Sequence, residues 1–214
     1  EVAVINNLEF EHADIFDDLA QIQTSFRRMV NLIPGNGLLV ANGDDLNVAE
    51  LLEIDHCPVQ RFGLGAGNEV RGEALKFSEK GACFEVGGAV FTLPMAGELN
   101  VRNALAVIAV ARHCGLSAAQ IQSAFETFQG IKRRMEVRGE VSGVMVIDDF
   151  AHHPTAIAET LRAVRVRFPG RRVWAIFEPR SNTTRRAVFQ DYLVEALSEA
   201  DAVVVAEEAR LDQL

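Results

Sequence analysis

The stretch GLLVANGDDLNVAELLEIDHCPVQRF, residues 37–62, alternates between strand and helix patterns. Residues 37–41 form an apolar run that is typical of a buried strand, residues 46–53 predict a short helix, and residues 59–62 predict a second strand. Strands that alternate with helices usually form a parallel sheet whose crossover connections are the helices. The stretch therefore predicts an α/β fold.

The preceding residues continue this alternation. Residues 2–5 predict a strand, and residues 17–33 predict a helix that ends at Pro34 and Gly35. The helix prediction rests on apolar side chains with the spacing of one helical face, namely Leu19, Ile22, Phe26, Met29, Val30 and Ile33.

The following residues predict the rest of a first unit. Short alternating runs separated by turns predict β-hairpins in residues 70–93, and residues 98–114 predict a long helix. A further helix starts at Ser117, whose spacing to Gln120 fits a capping box, and it ends at Gly130.

The segment IKRRM, residues 131–135, is the predicted joint, because it follows a terminated helix and precedes a new pair of strands. Beyond it the strand and helix patterns resume. The predicted elements are a hairpin of residues 136–141 and 144–148, a helix of residues 154–167, a strand of residues 173–177, a helix of residues 185–198 and a strand of residues 202–205. We therefore expect two α/β units, residues 1–130 and residues 131–214.

Composition excludes several classes of protein. The chain has 214 residues, of which 49% are hydrophobic and 24% charged, as in ordinary globular proteins. Its formal net charge of -9 argues against nucleic acid or an anionic membrane as a partner. The three cysteines are far apart in apolar stretches, which predicts neither a disulfide framework nor a zinc site. With no signal peptide or membrane-span pattern, we expect a cytoplasmic protein.

The glycine-rich residues 63–67, GLGAG, do not match a dinucleotide-binding motif. That motif opens a helix, whereas here the chain continues into a strand pattern, so we interpret the segment as a flexible loop. The P-loop sequence G-x-x-x-x-G-K-[ST] does not occur in the 214 residues.

Polar side chains follow the first predicted strand. Glu9, Glu11, His12 and Asp14 lie in the loop after it, where α/β sheets place their ligands. Carboxylates and an imidazole suit a divalent cation. The alternative is a solvated acidic loop.

Two residue pairs suit a nucleotide. Asn100 and Asn103 lie at i, i+3 in the first turn of a helix, where they could contact a purine edge or cap the helix. Arg133 and Arg134 at the joint could bind a phosphate, because guanidinium groups match phosphate oxygens, or they could form a solvated face.

The cluster DDFAHHP, residues 148–154, ends a strand and begins a helix. It fits two kinds of chemistry. Asp148, Asp149, His152 and His153 could be the metal ligands of a phosphoesterase, or an aspartate could accept the ribose hydroxyls of a nucleotide.

Taken in order, these segments resemble the Mur ligase family over nearly the whole chain. INNLEFEHADIF, residues 5–16, resembles the metal loop of the family's central domain, which implies that His12 binds Mg²⁺. GELNVRNALAV, residues 97–107, is similar to the family's G-x-H-N-x-x-N-A helix, which implies that Asn100 and Asn103 contact the adenine of ATP.

The second unit carries two further resemblances. KRRME, residues 132–136, resembles the segment whose arginine reaches the γ-phosphate of ATP, which implies that role for Arg134. DDFAHHPT, residues 148–155, resembles a signature of the muramate-ligase branch. It implies a ribose contact for Asp149 and a catalytic role for His153 beside Arg134.

The loop EPRSNT, residues 178–183, resembles the corresponding loop of the branch that recycles murein peptide. On chemistry alone, its arginine could bind a carboxylate. The resemblance implies that the incoming peptide contacts Arg180, Ser181, Asn182 and Thr183.

The resemblance also implies an architecture and an activity. Residues 1–130 would be the later part of a central ATPase-type domain, and residues 131–214 the first part of a Rossmann-like C-terminal domain. The implied enzyme uses ATP and Mg²⁺ to join L-alanyl-γ-D-glutamyl-meso-diaminopimelate to UDP-N-acetylmuramate through an acyl phosphate, in peptidoglycan recycling. Because the family's P-loop and UDP-binding domain are not among these residues, we expect a fragment that is inactive by itself.

Departures from the family pattern leave alternatives open. Leu99 stands where the family often has histidine, and no lysine precedes Lys76, which fits the muramate branch because that branch does without a carbamylated lysine. The alternatives are an L-alanine ligase of the same family, the metal-dependent phosphoesterase, against which Ala151 counts, and a binding module without chemistry. The sequence predicts no oligomeric state.

Overall fold

The first unit is built on a parallel sheet. The computed structural model describes residues 1–12, 15–179 and 189–206. Strands β1 (Val2–Ile5), β2 (Leu38–Asn42), β3 (Val59–Gly63) and β4 (Val70–Arg71) pair in that order, all parallel. Helices α1 (Leu19–Val30) and α2 (Leu46–Ala49) make the first two connections. The predicted β/α alternation is confirmed.

Strand β2 is buried on both faces, because its side chains alternate between two cores. Leu38 and Val40 belong to one core, and Leu39 and Ala41 to the other. Helices α1 and α2 pack on the second core. This two-sided burial explains the unbroken apolar run in the sequence.

The predicted hairpins form from residue 73 onward. Strands β5 (Glu73–Ser78), β6 (Gly81–Val86) and β7 (Ala89–Leu93) make an antiparallel sheet. The prediction was wrong at β4, which extends the parallel sheet beside β3. A two-residue strand carries too little pattern to show its partner.

Two helices complete the first unit. Helix α3 (Glu98–His113) packs its apolar side chains into the core formed with β2, β3 and the antiparallel strands. Helix α4 (Ala118–Thr127) begins with the predicted capping box of Ser117 and Gln120. It ends before Gly130, because Phe128 is already extended.

The second unit follows its prediction where it is described, and residues 185–188 of the helix predicted for residues 185–198 lie outside the described residues. Strands β8 (Glu136–Val141) and β9 (Val144–Asp148) form a hairpin, and helix α5 (Pro154–Arg167) follows. Strand β10 (Trp174–Phe177) pairs in parallel with β11 (Ala202–Val205). Helices α5 and α6 (Gln190–Leu197) pack against this pair through a core that includes Ile157, Leu161, Val173, Leu193 and Leu197.

The two units approach closely at the start of α3. A Cβ atom on Gly97 would lie 2.5 Å from Cβ of Ala163 in α5, and Gly97 has a φ of +97°. The close contact and the positive φ both require glycine at position 97. Arg102 of α3 and Glu159 of α5 form an ion pair at 3.7 Å beside this contact. Within the described residues, no helix is long and apolar enough to cross a membrane.

Candidate functional site

The turn between β2 and α2 holds the loop that follows β1. The side-chain amide of Asn42 donates to the carbonyl of Asn6 at 2.9 Å, and that of Asn47 donates to the carbonyl of Leu8 at 2.8 Å. The Asp45 carboxylate accepts from the N–H of Leu8 at 3.0 Å and also caps α2. The start of the predicted metal loop is therefore fixed to the sheet edge.

The glycine-rich residues 63–67 are tied to the same turn. The Asp44 carboxylate accepts from the N–H groups of Leu64 and Gly65 and from the side chain of Asn68. The segment continues from β3 as a loop, as interpreted from the sequence, and one carboxylate satisfies several of its donors.

Replacing Asp45 with alanine is expected to lower the free energy of unfolding by about 1–2 kcal/mol, the usual cost of losing a helix N-cap. The variant also leaves the N–H of the buried Leu8 without its acceptor. Urea denaturation measures the change, with Asp55→Ala as the matched control because Asp55 is exposed. Equal stability of the two variants would show that Asp45 does not anchor the loop.

The tripeptide Glu9-Phe10-Glu11, in the loop after β1, contacts the second unit. Oε2 of Glu9 lies 3.2 Å from Nδ1 of His153, and Oε1 of Glu11 lies 3.3 Å from Nε2 of His152. Nε2 of His153 lies 3.3 Å from the carbonyl oxygen of Phe10. Both ring nitrogens of His153 therefore have oxygen partners in the protein.

A cavity of about 470 Å³ lies between this loop and the second unit. His12, which follows the tripeptide with a φ of 53°, lines it together with Arg134 and His153. Leu99 and Phe26 contribute apolar wall. Three side chains singled out in the sequence, more than 100 positions apart at the extremes, thus meet at one cavity.

The loop residues fit a magnesium ion only in part. Glu9 and Glu11 face histidines, and Asp14 lies outside the described residues. No group of three or more histidine, cysteine, aspartate or glutamate side chains able to hold a metal occurs in the described part of the chain. His12 lines the cavity and suits an ion that takes its other ligands from phosphate oxygens and water, as Mg²⁺ commonly does.

The predicted joint is a tightly bonded turn. Arg133 and Met135 have left-handed backbones, with φ of 57° and 50°. Asp149 accepts from the N–H of Met135 at 2.7 Å, and the carbonyl of Arg133 accepts from the N–H of Phe150 at 2.8 Å. The Glu136 carboxylate accepts from the N–H of Arg133 at 2.9 Å, and this hydrogen bond lowers the pKa of Glu136. These bonds hold a left-handed backbone conformation that residues other than glycine rarely adopt.

The two arginines of the joint have different surroundings. The guanidinium carbons of Arg133 and Arg134 lie 4.8 Å and 5.8 Å from the ring centroid of Phe150. Arg133 also pairs with Asp148 at 3.6 Å. Among the described residues that line the cavity, Arg134 is present and Arg133 is not. Arg134 is therefore the better placed of the two to meet a phosphate there.

Asn100 and Asn103 differ more than their spacing predicts. Asn100 is buried, and its side-chain amide lies 3.9 Å from the sulfur of Met135. Asn103 is exposed, and its side-chain oxygen accepts from Asn6 at 3.3 Å. Neither asparagine is among the described residues that line the cavity. Asn100 instead adjoins the joint that Asp149 holds.

The structure contradicts the phosphoesterase alternative. Asp148 pairs with an arginine, and the oxygens of Asp149 accept from backbone N–H groups of Met135 and Ala151. His152 and His153 face glutamates of the first unit. These four side chains therefore form no metal-binding group, in line with the described residues as a whole.

The predicted peptide-binding residues, Arg180, Ser181, Asn182 and Thr183, lie outside the described residues. The sequence reasoning missed other residues that the structure brings to the site. Asn42 and Asp45 carried a signal, because they lie at and just beyond the carboxyl end of a buried strand, where parallel sheets place their ligands. Phe10 carried none, since an aromatic side chain between two glutamates in a loop does not indicate its partner.

Family models match both units. The model of the Mur ligase middle domain matches residues 1–111, and that of the Mur ligase glutamate ligase domain matches residues 133–213. A UDP-N-acetylmuramate–L-alanyl-gamma-D-glutamyl-meso-2,6-diaminoheptandioate ligase of Escherichia coli is 39% identical, covering 97% of this chain and 46% of the relative. A UDP-N-acetylmuramate–L-alanine ligase of Acetivibrio thermocellus is 35% identical, covering 96% of this chain and 45% of the relative.

Solved structures agree. A murein peptide ligase from Psychrobacter arcticus superposes with a TM-score of 0.66 at 35% identity, covering 98% of this chain and 44% of that one. A MurF ligase from Thermotoga maritima in complex with ADP has the same fold, with a TM-score of 0.78 at 22% identity, covering 99% of this chain and 50% of that one. This chain spans about half the length of the relatives that it matches. The fold class and the family resemblance are confirmed: the chain belongs to the Mur ligase family and comprises middle-domain and C-terminal-domain regions of it.

Proposed function

We propose that this chain is part of an ATP-dependent ligase that joins L-alanyl-γ-D-glutamyl-meso-diaminopimelate to UDP-N-acetylmuramate in peptidoglycan recycling. The observation that carries the proposal is the cavity between the two units, which is lined by His12, Arg134 and His153. The relatives support the choice of substrate, since the tripeptide ligase of Escherichia coli is 39% identical and the L-alanine ligase of Acetivibrio thermocellus is 35% identical.

The proposed roles divide between the units. Arg134 would contact the γ-phosphate from its position at the cavity, and His12 would bind Mg²⁺, which neutralises phosphate charge when bound. Asn100 and Asn103 would contact adenine, and Asp149 ribose. Asp149 would do so while accepting backbone hydrogen bonds, which hold its carboxylate in one orientation.

The family resemblance implies the course of the reaction. The muramate carboxylate attacks the γ-phosphorus of ATP and expels ADP, which forms an acyl phosphate. The neutral amine of the peptide then attacks the acyl carbon, and the tetrahedral intermediate expels phosphate to leave the amide. A guanidinium placed at the transferring group stabilises the charge that spreads over its oxygens. The groups that line the cavity come from both sides of the domain boundary between residues 130 and 131. The position of this boundary remains a prediction.

His153 keeps a catalytic role in this proposal under one condition. Both of its ring nitrogens have oxygen partners, so a proton transfer requires one of these contacts to open.

The chain's free cysteines fit a reducing compartment, so the cytoplasm remains our prediction for the enzyme.

The choice of acceptor is tested with the protein encoded by the complete reading frame, supplied with ATP and UDP-N-acetylmuramate. We expect kcat/KM for the tripeptide to exceed that for L-alanine by at least about 100-fold, because a site built for a substrate's polar groups strongly rejects an analogue that lacks them. Residues 1–214 alone serve as the inactive control, since the P-loop motif is not in them. A preference for L-alanine would show that the protein is an L-alanine ligase of the same family. If the protein ligates neither acceptor, the alternative of a binding module without chemistry would be supported.

A further inference from the structure

Phe10, in the loop after β1, packs against two hydrophobic cores. Its side chain contacts the core of the first unit that α1 and α2 cover, and it also contacts the core of the second unit. Phe10 lies in the loop after β1, between the polar residues Glu9 and Glu11. A partly buried aromatic ring that packs on two units contributes to the stability of both of them.

The contacts of Phe10 in the second unit involve both its ring and its backbone. The ring stacks on Phe189 with a centroid distance of 6.0 Å and an interplanar angle of 21°. The His153 ring makes a T-shaped contact with the same Phe189, with a centroid distance of 5.8 Å and an interplanar angle of 69°. Nε2 of His153 also lies 3.3 Å from the carbonyl oxygen of Phe10. Two side chains of the second unit therefore fix one residue of the first.

Polar contacts flank this aromatic contact. Glu9 bonds to His153 and Thr155, and Glu11 pairs with His152. Most of these side chains are partly exposed, and exposed pairs contribute little to stability because water competes for them. The stacked rings are better suited to hold the two units together.

We propose that Phe10 is a positioning residue that fixes the two units relative to each other, so that His12 and Arg134 face one cavity. His12 follows Phe10 by two positions in the same loop, whereas Arg134 lies at the joint of the second unit. Moving the loop away from Phe189 would separate these two side chains. The catalytic part of this inference rests on the proposed function, but the structural part does not.

Energy transfer tests the structural part without substrate. The chain has a single tryptophan, Trp174 in the second unit, and an exposed cysteine, Cys114, at the end of α3 in the first unit. A dansyl-type acceptor on Cys114, in a Cys83→Ala background, reports the distance between the units. We expect Phe10→Ala to change the transfer efficiency from its wild-type value, and the control Phe128→Ala, at an exposed phenylalanine, to leave it unchanged.

Two further measurements keep the structural test decisive. Circular dichroism verifies that Phe10→Ala is folded, and Phe10→Leu, which keeps apolar volume without the ring stack, is expected to lie between wild type and Phe10→Ala. An unchanged transfer efficiency in folded Phe10→Ala would overturn the proposal. Energy transfer needs no turnover, so this outcome is distinct from a failure of the ligase function.

Kinetics of the protein encoded by the complete reading frame test the catalytic part. We expect Phe10→Ala to lower kcat by on the order of 10- to 100-fold, because a small displacement of reacting groups has effects of that size. KM for ATP should rise as well, since the proposed ATP contacts come from both units. A loss of folded protein would lower the apparent kcat but leave KM for ATP unchanged, and that result would contradict a positioning role.

Discussion

Arg134→Ala, in the protein encoded by the complete reading frame, is expected to lower kcat by on the order of 10³, as for other arginines that stabilise a transferring phosphoryl group. The guanidinium lines the cavity and is supported by the face of Phe150. Its charge is needed most when negative charge redistributes on the phosphoryl oxygens, so KM for UDP-N-acetylmuramate should stay nearly unchanged. Steady-state kinetics with each substrate varied in turn measure both quantities.

Two companion variants locate the effect. Arg134→Lys should recover only part of the activity, because lysine keeps the charge but loses the planar group of donors. Arg133→Ala should remain close to wild type, since Arg133 pairs with Asp148 and is not among the described residues lining the cavity. If Arg133→Ala loses activity and Arg134→Ala keeps it, the γ-phosphate contact would belong to Arg133 instead. Full activity in both would remove the arginines from the mechanism.

Asp149→Asn is expected to raise KM for ATP by roughly 10- to 100-fold, because a hydrogen bond to a charged group contributes about 1.5–3 kcal/mol. A ribose contact is the same in the ground state and the transition state, so kcat should change less than KM. The structure adds a second reason. Both carboxylate oxygens accept from backbone N–H groups, and an amide has one oxygen for these donors, so the turn at Met135 also loses a bond.

Asp148→Asn is the matched control for this variant. Asp148 is its neighbour and pairs only with the half-exposed Arg133 at 3.6 Å in the contacts described, so the kinetic constants should change by no more than about twofold. Initial rates over a range of ATP concentrations measure both variants. An unchanged KM for ATP with a collapsed kcat in Asp149→Asn would point instead to metal binding or proton transfer at Asp149.

The fold was predictable wherever the signals were local. The hairpin of β8 and β9 and the start of α5 at Pro154 lie where the sequence pattern predicts them, because turn glycines and a proline at the first helical position act on their nearest neighbours. Strand β4 was mispredicted, since its two residues depend on a partner strand rather than on their own pattern.

The candidate site was predictable only through motifs. His12, Arg134 and His153 were singled out separately, and nothing in their spacing showed that they would line one cavity. The contacts of Phe10 and Asp45 join residues that are 37 or more positions apart in the chain. Such contacts form only when the strands and helices have assembled, so propensity and periodicity carry no information about them.

The central claim, that the chain is part of a ligase that proceeds through an acyl phosphate, is tested most directly by oxygen transfer. UDP-N-acetylmuramate labelled with ¹⁸O in its carboxylate is incubated with ATP, the tripeptide and the protein encoded by the complete reading frame. The acyl phosphate links the sugar carboxylate to the γ-phosphorus through one carboxylate oxygen, and that oxygen leaves with the phosphate when the amine attacks. We predict one ¹⁸O atom in each molecule of inorganic phosphate released. Phosphate without ¹⁸O, formed together with the amide product, would contradict it.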